Sequence, residues 1–340
     1  MASKPPYSNN LSANHVAVLG GGSWGSALAM LAAKKADKVH LWVRDAGLAN
    51  HINNERRNIK YLGDCVLGDN IIAHTDMDDI LSKNMPIICA IPVQYMRKTL
   101  ENISPNARLT CREWILCSKG IEGGTGLFPS QIIAELFPND KVAMLSGPNF
   151  AKEVATGLPA ASMVAGHADC HEIAATFLAQ KSFRLYYHDN IRAVEICAAL
   201  KNVIAIACGI CEGCGLGKNA HAALMTRGLA EMHKLCEYYA SSSAWDIISS
   251  LAGVGDLALT CQNLQSRNMA FGEKLGKGLS LREAEAQSKG VCEGQKTAKP
   301  LMMLAKAANL DLPISMEVYR IIYEEKPIKM AINDLLSRPQ

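Results

Sequence analysis

Charge imbalance is nearly absent from this chain. Its 340 residues carry 35 Lys and Arg against 32 Asp and Glu, a net charge of +3, and the basic residues form no block. That excludes an electrostatic footprint for nucleic acid or an anionic membrane surface, so any bound anion has to be gripped locally. No uninterrupted apolar run reaches the ~20 residues needed to cross a bilayer, and residues 1–14 (MASKPPYSNNLSAN) lack the apolar core of a signal peptide. A cytoplasmic protein with a disordered tail over residues 1–14 is expected. Internal repeats and low-complexity tracts are missing too, and Ser241-Ser242-Ser243 reads as a loop before a helix. The nine histidines form no HExxH or paired-ligand spacing, which leaves a catalytic metal without support.

Cysteine, by contrast, is plentiful at 12 residues, but Cys89, Cys117 and Cys197 lie inside apolar runs of a chain that is 49% hydrophobic. A core of that size is stable without disulfides, so the cysteines read as reduced, buried small side chains. Cys208-x-x-Cys211-x-x-Cys214 resembles part of an iron–sulfur run, yet the fourth cysteine of that run is missing, the next one being Cys236. No metal is expected there.

The length fits two domains. From His15 to about Asp189, β-rich runs at Val16–Leu19, Lys38–Val43, Met85–Ile91, Trp114–Ser118, Val142–Ser146, Ala161–Ala165 and Phe183–Tyr187 alternate with helical or irregular stretches. Such alternation predicts a mostly parallel sheet with helices on both faces, and a ligand at the C-terminal strand ends. After Asn190 strand signals almost vanish, and helices are expected near residues 220–240, 245–252, 266–276, 280–288, 294–309 and 313–324. The expected division is therefore an α/β dinucleotide-binding domain over 15–190 and an all-helical substrate domain over 191–335.

Three segments carry chemistry. Gly20-Gly21-Gly22-Ser23-Trp24-Gly25 ends the apolar run His15–Leu19 and opens the helix-forming stretch Ala27–Lys35. In that setting Gly20 makes a tight turn, Gly22 admits a pyrophosphate to the backbone, and Gly25 lets helix and strand pack closely. The helix start then favours the bound anion. Lys201-Asn202 interrupts the nearly continuous apolar helix Ile191–Cys211. A lysine there either snorkels to the surface or faces a cleft where burial and a second cation lower its pKa into the proton-transfer range. Lys119, which follows the strand Trp114–Ser118, supplies that second cation. Finally, Ser266-Arg267-Asn268 precedes a helix, where it is either an ordinary capped start or a phosphate grip built on the planar guanidinium of Arg267.

Ordered along residues 15 to about 325 are GGGSWG (20–25), CSKGIE (117–122), SGPNFAKEVATGLP (146–159), ALKNVIAIACG (199–209), TRGLAEM (226–232), GVGDLALTC (253–261), QSRN (265–268) and CEG (292–294). Together they resemble the soluble, bacterial-type NAD(P)-dependent glycerol-3-phosphate dehydrogenases. The resemblance implies a Rossmann-type N-terminal domain and an all-α C-terminal domain. It also implies NAD or NADP as cofactor, a homodimer, and no nucleic-acid or membrane partner. The implied reaction is reversible hydride transfer between dihydroxyacetone phosphate and sn-glycerol 3-phosphate, which supplies glycerophospholipid synthesis.

Residue by residue, the resemblance assigns Ser23 and Trp24 to the cofactor turn, Arg44 to a place beside the adenosine ribose, and Lys119 to both cofactor and substrate. It assigns Gly147 and Asn149 to the substrate side of the active site and Ala151 to the cofactor side. Lys201 matches the proton donor and acceptor, with Asn202 beside it. Asp256, Ser266, Arg267 and Asn268 match substrate-site residues, Arg267 also approaching the cofactor, and Val291 and Glu293 match late cofactor contacts. Asp256 is expected to orient Lys201. Many bacterial members carry Ser or Thr where this chain has Asn149. Asp45 stands at the spacing past Gly25 where an acid binds the ribose hydroxyls of NAD, while the neighbouring Arg44 suits the 2′-phosphate of NADP, so use of both is expected. A dehydrogenase of the 6-phosphogluconate or 3-hydroxyacid type shares the fold and a Lys-Asn pair, but SGPNFAKE and QSRN speak against it.

Overall fold

A computed structural model describes residues 14–104, 112–240, 244–288, 290 and 292–338. The tail 1–13, the Ser241–Ser243 segment and Val291 lie outside them. Eight strands, β1 (His15–Leu19), β2 (Lys38–Trp42), β3 (Ile71–His74), β4 (Ile87–Cys89), β5 (Glu113–Leu116), β6 (Lys141–Ser146), β7 (Ala160–Gly166) and β8 (Phe183–His188), make one sheet in the order β3-β2-β1-β4-β5-β6-β7-β8. The first six strands in that order are parallel, with registers such as Val18↔Leu41, Val18↔Ile88 and Ile115↔Ala143. Apart from His40 in β2, their interiors are apolar because both faces of the sheet are covered. The chain order reverses between β1 and β4, the position at which such sheets bind ligands.

Two features of the sheet were not read from the sequence. β3 gave no signal, since Ile71-Ile72-Ala73-His74 is only four residues long at the sheet edge. β7 runs back along β6: His167, just past β7, donates its N–H to the Val142 carbonyl at the start of β6 (3.0 Å). Asn149, just past β6, reaches Ser162 near the start of β7 (2.7 Å). The short connection through the helix Ala151–Ala155 leaves too little chain for a crossover back to a parallel strand.

The chain forms two compact units. One runs to Ser118 and adds Ser130–Leu145 and Asn149–Ile191; the other takes in Lys119–Pro129, Ser146–Pro148 and the chain from Arg192 onward. The second unit is built around the helix Ile191–Gly213, in which the residues from Ala193 to Cys211 are all buried. By length and mean hydropathy (1.9) this helix would pass as a membrane span, but its most apolar window is wholly buried in protein. It crosses the helix Arg267–Gly276 at very short range. A Cβ on Gly209 would lie 2.1 Å from the Met269 carbonyl oxygen, and one on Gly272 the same distance from that of Ile206. Only glycine permits this approach. A helix over Ile328–Leu336 was not anticipated from the sequence.

Candidate active site

In the first unit, the glycine turn closes β1 and opens the helix Ser23–Ala33. Gly20 has φ +113°, and a Cβ there would press on the Ala90 carbonyl at 3.0 Å; a Cβ on Gly25 would lie 1.9 Å from the Gly20 carbonyl oxygen. Gly21, which the motif reading left without a role, is held as tightly: a Cβ there would meet Val43 at 2.2 Å. Gly22 faces open space and caps the helix with no side chain, so the first N–H groups of the helix are free for an anion. The Trp24 indole nitrogen is buried without a hydrogen-bond partner. A cradle so open at the backbone fits the pyrophosphate of a dinucleotide. Ser23 donates to the Tyr61 carbonyl (2.8 Å), and Asn58 ties Gly21 and Ser26 together.

Arg44 and Asp45 lie exposed just past β2. Asp45 also has a local task, since its side chain caps the helix Ala46–Glu55 by accepting from the Leu48 N–H (2.6 Å). Asn149 also belongs to the first unit, where its amide nitrogen is taken by Ser162 and Ala161 while its oxygen is buried and unpartnered. Ala151 begins the helix that follows.

The second unit brings the ionisable groups together. Asp256 is buried at the start of the helix Asp256–Gln262, directly after a π-helical turn over Leu251–Gly255. Its Oδ1 accepts from Lys201 Nζ (2.5 Å) and its Oδ2 from Lys119 Nζ (2.6 Å). Ser146 adds a donor to Oδ2 at 3.2 Å. Thr260 accepts a second bond from Lys201 at 2.9 Å while giving its own proton to the Asp256 carbonyl (2.6 Å). Neither Ser146 nor Thr260 was singled out from the sequence, although Thr260 stands at i+4 from Asp256 on one helix face. The loop carrying Lys119 is pinned by a Glu122–Gly126 turn, and Phe128 lies under the Arg192 guanidinium (4.6 Å).

Burial draws the Lys201 ammonium down to about 8, with Asp256 opposing and Lys119 reinforcing the fall. Burial alone would raise Asp256, but the Lys119 and Lys201 ammonium groups override it and hold the carboxyl below its usual range. Burial raises Glu293, at the start of the helix Glu293–Ala307, against the pull of Arg267, Lys201 and Lys119.

Other assigned residues also make local contacts within the second unit. Asn202 accepts from Asn268 (2.9 Å), whose oxygen takes the Gly294 N–H (2.9 Å) and the Cys292 thiol. That chain staples three helices. Ser266 caps the helix Arg267–Gly276 through the Met269 N–H. Arg267 itself is exposed, a guanidinium nitrogen lying 3.2 Å from where a Cβ on Gly290 would be. Gly147 is buried beside Pro148, which packs on Gly255. Cys208 and Cys211 are buried in the central helix, and Cys214 bonds the Gly276 carbonyl. Among the described residues no three His, Cys, Asp or Glu side chains are grouped to hold a metal, and no cysteine forms a disulfide.

An open sheet in the order 3-2-1-4-5-6 with a glycine turn at its first strand, in a chain whose helical unit gathers Lys119 and Lys201 on the buried Asp256, defines a two-domain nicotinamide-dependent dehydrogenase. Profiles of the NAD-dependent glycerol-3-phosphate dehydrogenase N-terminus and C-terminus match residues 15–171 and 190–333. The glycerol-3-phosphate dehydrogenase [NAD(P)+] of Ehrlichia chaffeensis is 39% identical over 328 residues, covering 94% of this chain and 99% of its own. A crystal structure of glycerol-3-phosphate dehydrogenase from Coxiella burnetii superposes with a TM-score of 0.88 at 32% identity, covering 96% of this chain and 99% of that one. The Saccharomyces cerevisiae glycerol-3-phosphate dehydrogenase structure gives 0.79 at 27% identity, covering 95% and 99%. The chain belongs to the NAD-dependent glycerol-3-phosphate dehydrogenase family.

Proposed function

We infer that the protein is an NAD(P)-dependent oxidoreductase that interconverts dihydroxyacetone phosphate and sn-glycerol 3-phosphate, with Lys201 moving the proton. The observation that carries the role of Lys201 is its pair of bonds to Asp256 and Thr260. An ammonium has three N–H donors, and these two partners occupy two. The third N–H direction is thereby fixed and available to the substrate oxygen. After giving up that proton the neutral amine keeps both bonds, and its lone pair points where the proton had been. One geometry thus serves both directions of the reaction.

The nicotinamide, when bound, supplies or accepts the hydride. Lys119, on the other carboxylate oxygen, adds positive potential that stabilises a developing alkoxide. Arg267 is the candidate anchor for the substrate phosphate through its planar fork, which would hold the carbonyl carbon in place. Asn202, Ser266 and Asn268 shape that site through the staple and cap. Gly147 and Asn149 are assigned to the substrate, and Gly20, Gly22, Ser23, Trp24, Gly25, Arg44, Asp45, Ala151, Val291 and Glu293 to the cofactor. The boundary between the two domains is placed near residue 190, the enzyme works as a cytoplasmic homodimer, and its product feeds glycerophospholipid assembly. Initial rates of NADH and NADPH oxidation with dihydroxyacetone phosphate test the reading. Turnover is expected with both cofactors, and its absence with both would refute the assignment.

A further inference from the structure

Ser146 is the last residue of β6 and is 1% exposed. Buried hydroxyls bond, and this one donates to Asp256 Oδ2 at 3.2 Å, the oxygen that also takes Lys119. The two residues after it are seated in the same unit, with Pro148 against Gly255, one residue before Asp256. The carboxylate is therefore held by Lys201 on Oδ1 and by Lys119 and Ser146 on Oδ2, while the Thr260 hydroxyl gives its one proton to the Asp256 backbone carbonyl. Ammonium groups on flexible stems are weak guides of direction, because each is a rotatable point charge. Thr260 sits on the same helix as Asp256 and moves with it. Ser146 is thus the one neutral donor to this carboxylate, among the described residues, that comes from another element.

We propose that Ser146 is a positioning residue for the reaction: it fixes the plane of the Asp256 carboxylate and so keeps Oδ1 aligned on Lys201. The proposal rests on the assignment of Lys201 as the proton-transferring group. Without the hydroxyl, the carboxylate is free to turn toward Lys119, the partner it shares Oδ2 with, and Oδ1 leaves Lys201. Lys201 then keeps its burial and the repulsion of Lys119 but loses part of the attraction that holds its proton, so its midpoint falls. The other groups that act electrostatically on this cluster are Glu293, Arg267 beside it, and the thiols of Cys197 and Cys261. All of these remain unchanged in the variant.

The test is the pH dependence of kcat for glycerol 3-phosphate oxidation in Ser146→Ala, with cofactor affinity measured separately by fluorescence titration. The expected result is a midpoint lower by about half a unit, kcat lower by about tenfold, and cofactor affinity unchanged, with the profile restored in Ser146→Thr. In an Asp256→Asn background, Ser146→Ala should move the midpoint no further, because the group it orients is gone. An unchanged midpoint in S146A, or an equal shift in the D256N background, overturns the role of Ser146. If D256N itself leaves the midpoint in place, it is the assignment of Lys201 that fails. Should S146A not fold, Ser146→Cys keeps the volume with a weaker donor and must show the same downward shift.

Discussion

Replacing Asp256 by asparagine removes the anion between two ammonium groups while keeping the side-chain shape. The Lys201 and Lys119 nitrogens lie 2.5 and 2.6 Å from its oxygens, and the carboxylate is 1% exposed. At a separation of charge centres near 4 Å and an effective dielectric of about 20, each attraction amounts to about 4 kcal/mol, equivalent to about 3 pK units. The asparagine oxygen still accepts a hydrogen bond, so the expected fall for Lys201 is about 1–3 units from its starting value of about 8. The sign follows from what is lost, since removing an anion disfavours the protonated amine. At pH 7.5 most Lys201 is protonated in the native enzyme; in the variant the protonated fraction drops about threefold to a few hundredfold. Reduction of dihydroxyacetone phosphate, which needs the acid form, should slow by that factor. The midpoint for oxidation should move to lower pH. Initial-rate pH profiles in both directions, with cofactor titration to confirm folding, provide the assay. A midpoint that stays near 8 or moves upward refutes the electrostatic argument.

Other outcomes follow from the same geometry. Arg267→Lys keeps the charge but loses the planar fork, so the KM for dihydroxyacetone phosphate should rise at least about tenfold, or ~1.4 kcal/mol, and an unchanged KM would remove Arg267 as the phosphate anchor. Arg44→Ala should weaken NADPH more than NADH, while Asp45→Asn, which keeps the helix cap, should weaken NADH more than NADPH; equal effects on the two cofactors would sink both assignments. Lys201 is depressed from 10.5 to about 8 in the folded protein, so the unfolded chain binds more protons across that window. Chemical denaturation should therefore find wild type gaining stability relative to Lys201→Met as pH rises from about 8 to about 10.5.

Much of the fold was legible because its signals are local. The strand–glycine turn–helix at Leu19–Ser26 and the polar break at Lys201-Asn202 in an apolar helix both fall within one segment. The edge strand β3 escaped notice because four residues carry too little periodicity, and the reversal of β7 depends on loop length more than on strand composition. In the site, Lys119, Lys201 and Asp256 stand out as charges in apolar or glycine-rich surroundings. Ser146 and Thr260 do not, because a hydroxyl at a strand end or mid-helix is ordinary until folding shows what it faces. Asn268 illustrates another limit: alongside its assignment to the substrate site, its amide bonds Asn202 and Gly294, a role that its place beside Arg267 in the sequence does not reveal.

The central claim is that one side chain, Lys201, carries the proton in both directions. The most direct test measures kcat against pH for oxidation of glycerol 3-phosphate and for reduction of dihydroxyacetone phosphate, in wild type and in Lys201→Ala. Oxidation needs the neutral amine and reduction the ammonium, so the two profiles should be mirror images about a common midpoint near 8, with oxidation rising and reduction falling. The alanine variant should lose about 10²–10⁴ in kcat in both directions while still binding cofactor. Profiles that rise together, midpoints that differ widely, or an alanine variant with near-normal kcat would contradict the account.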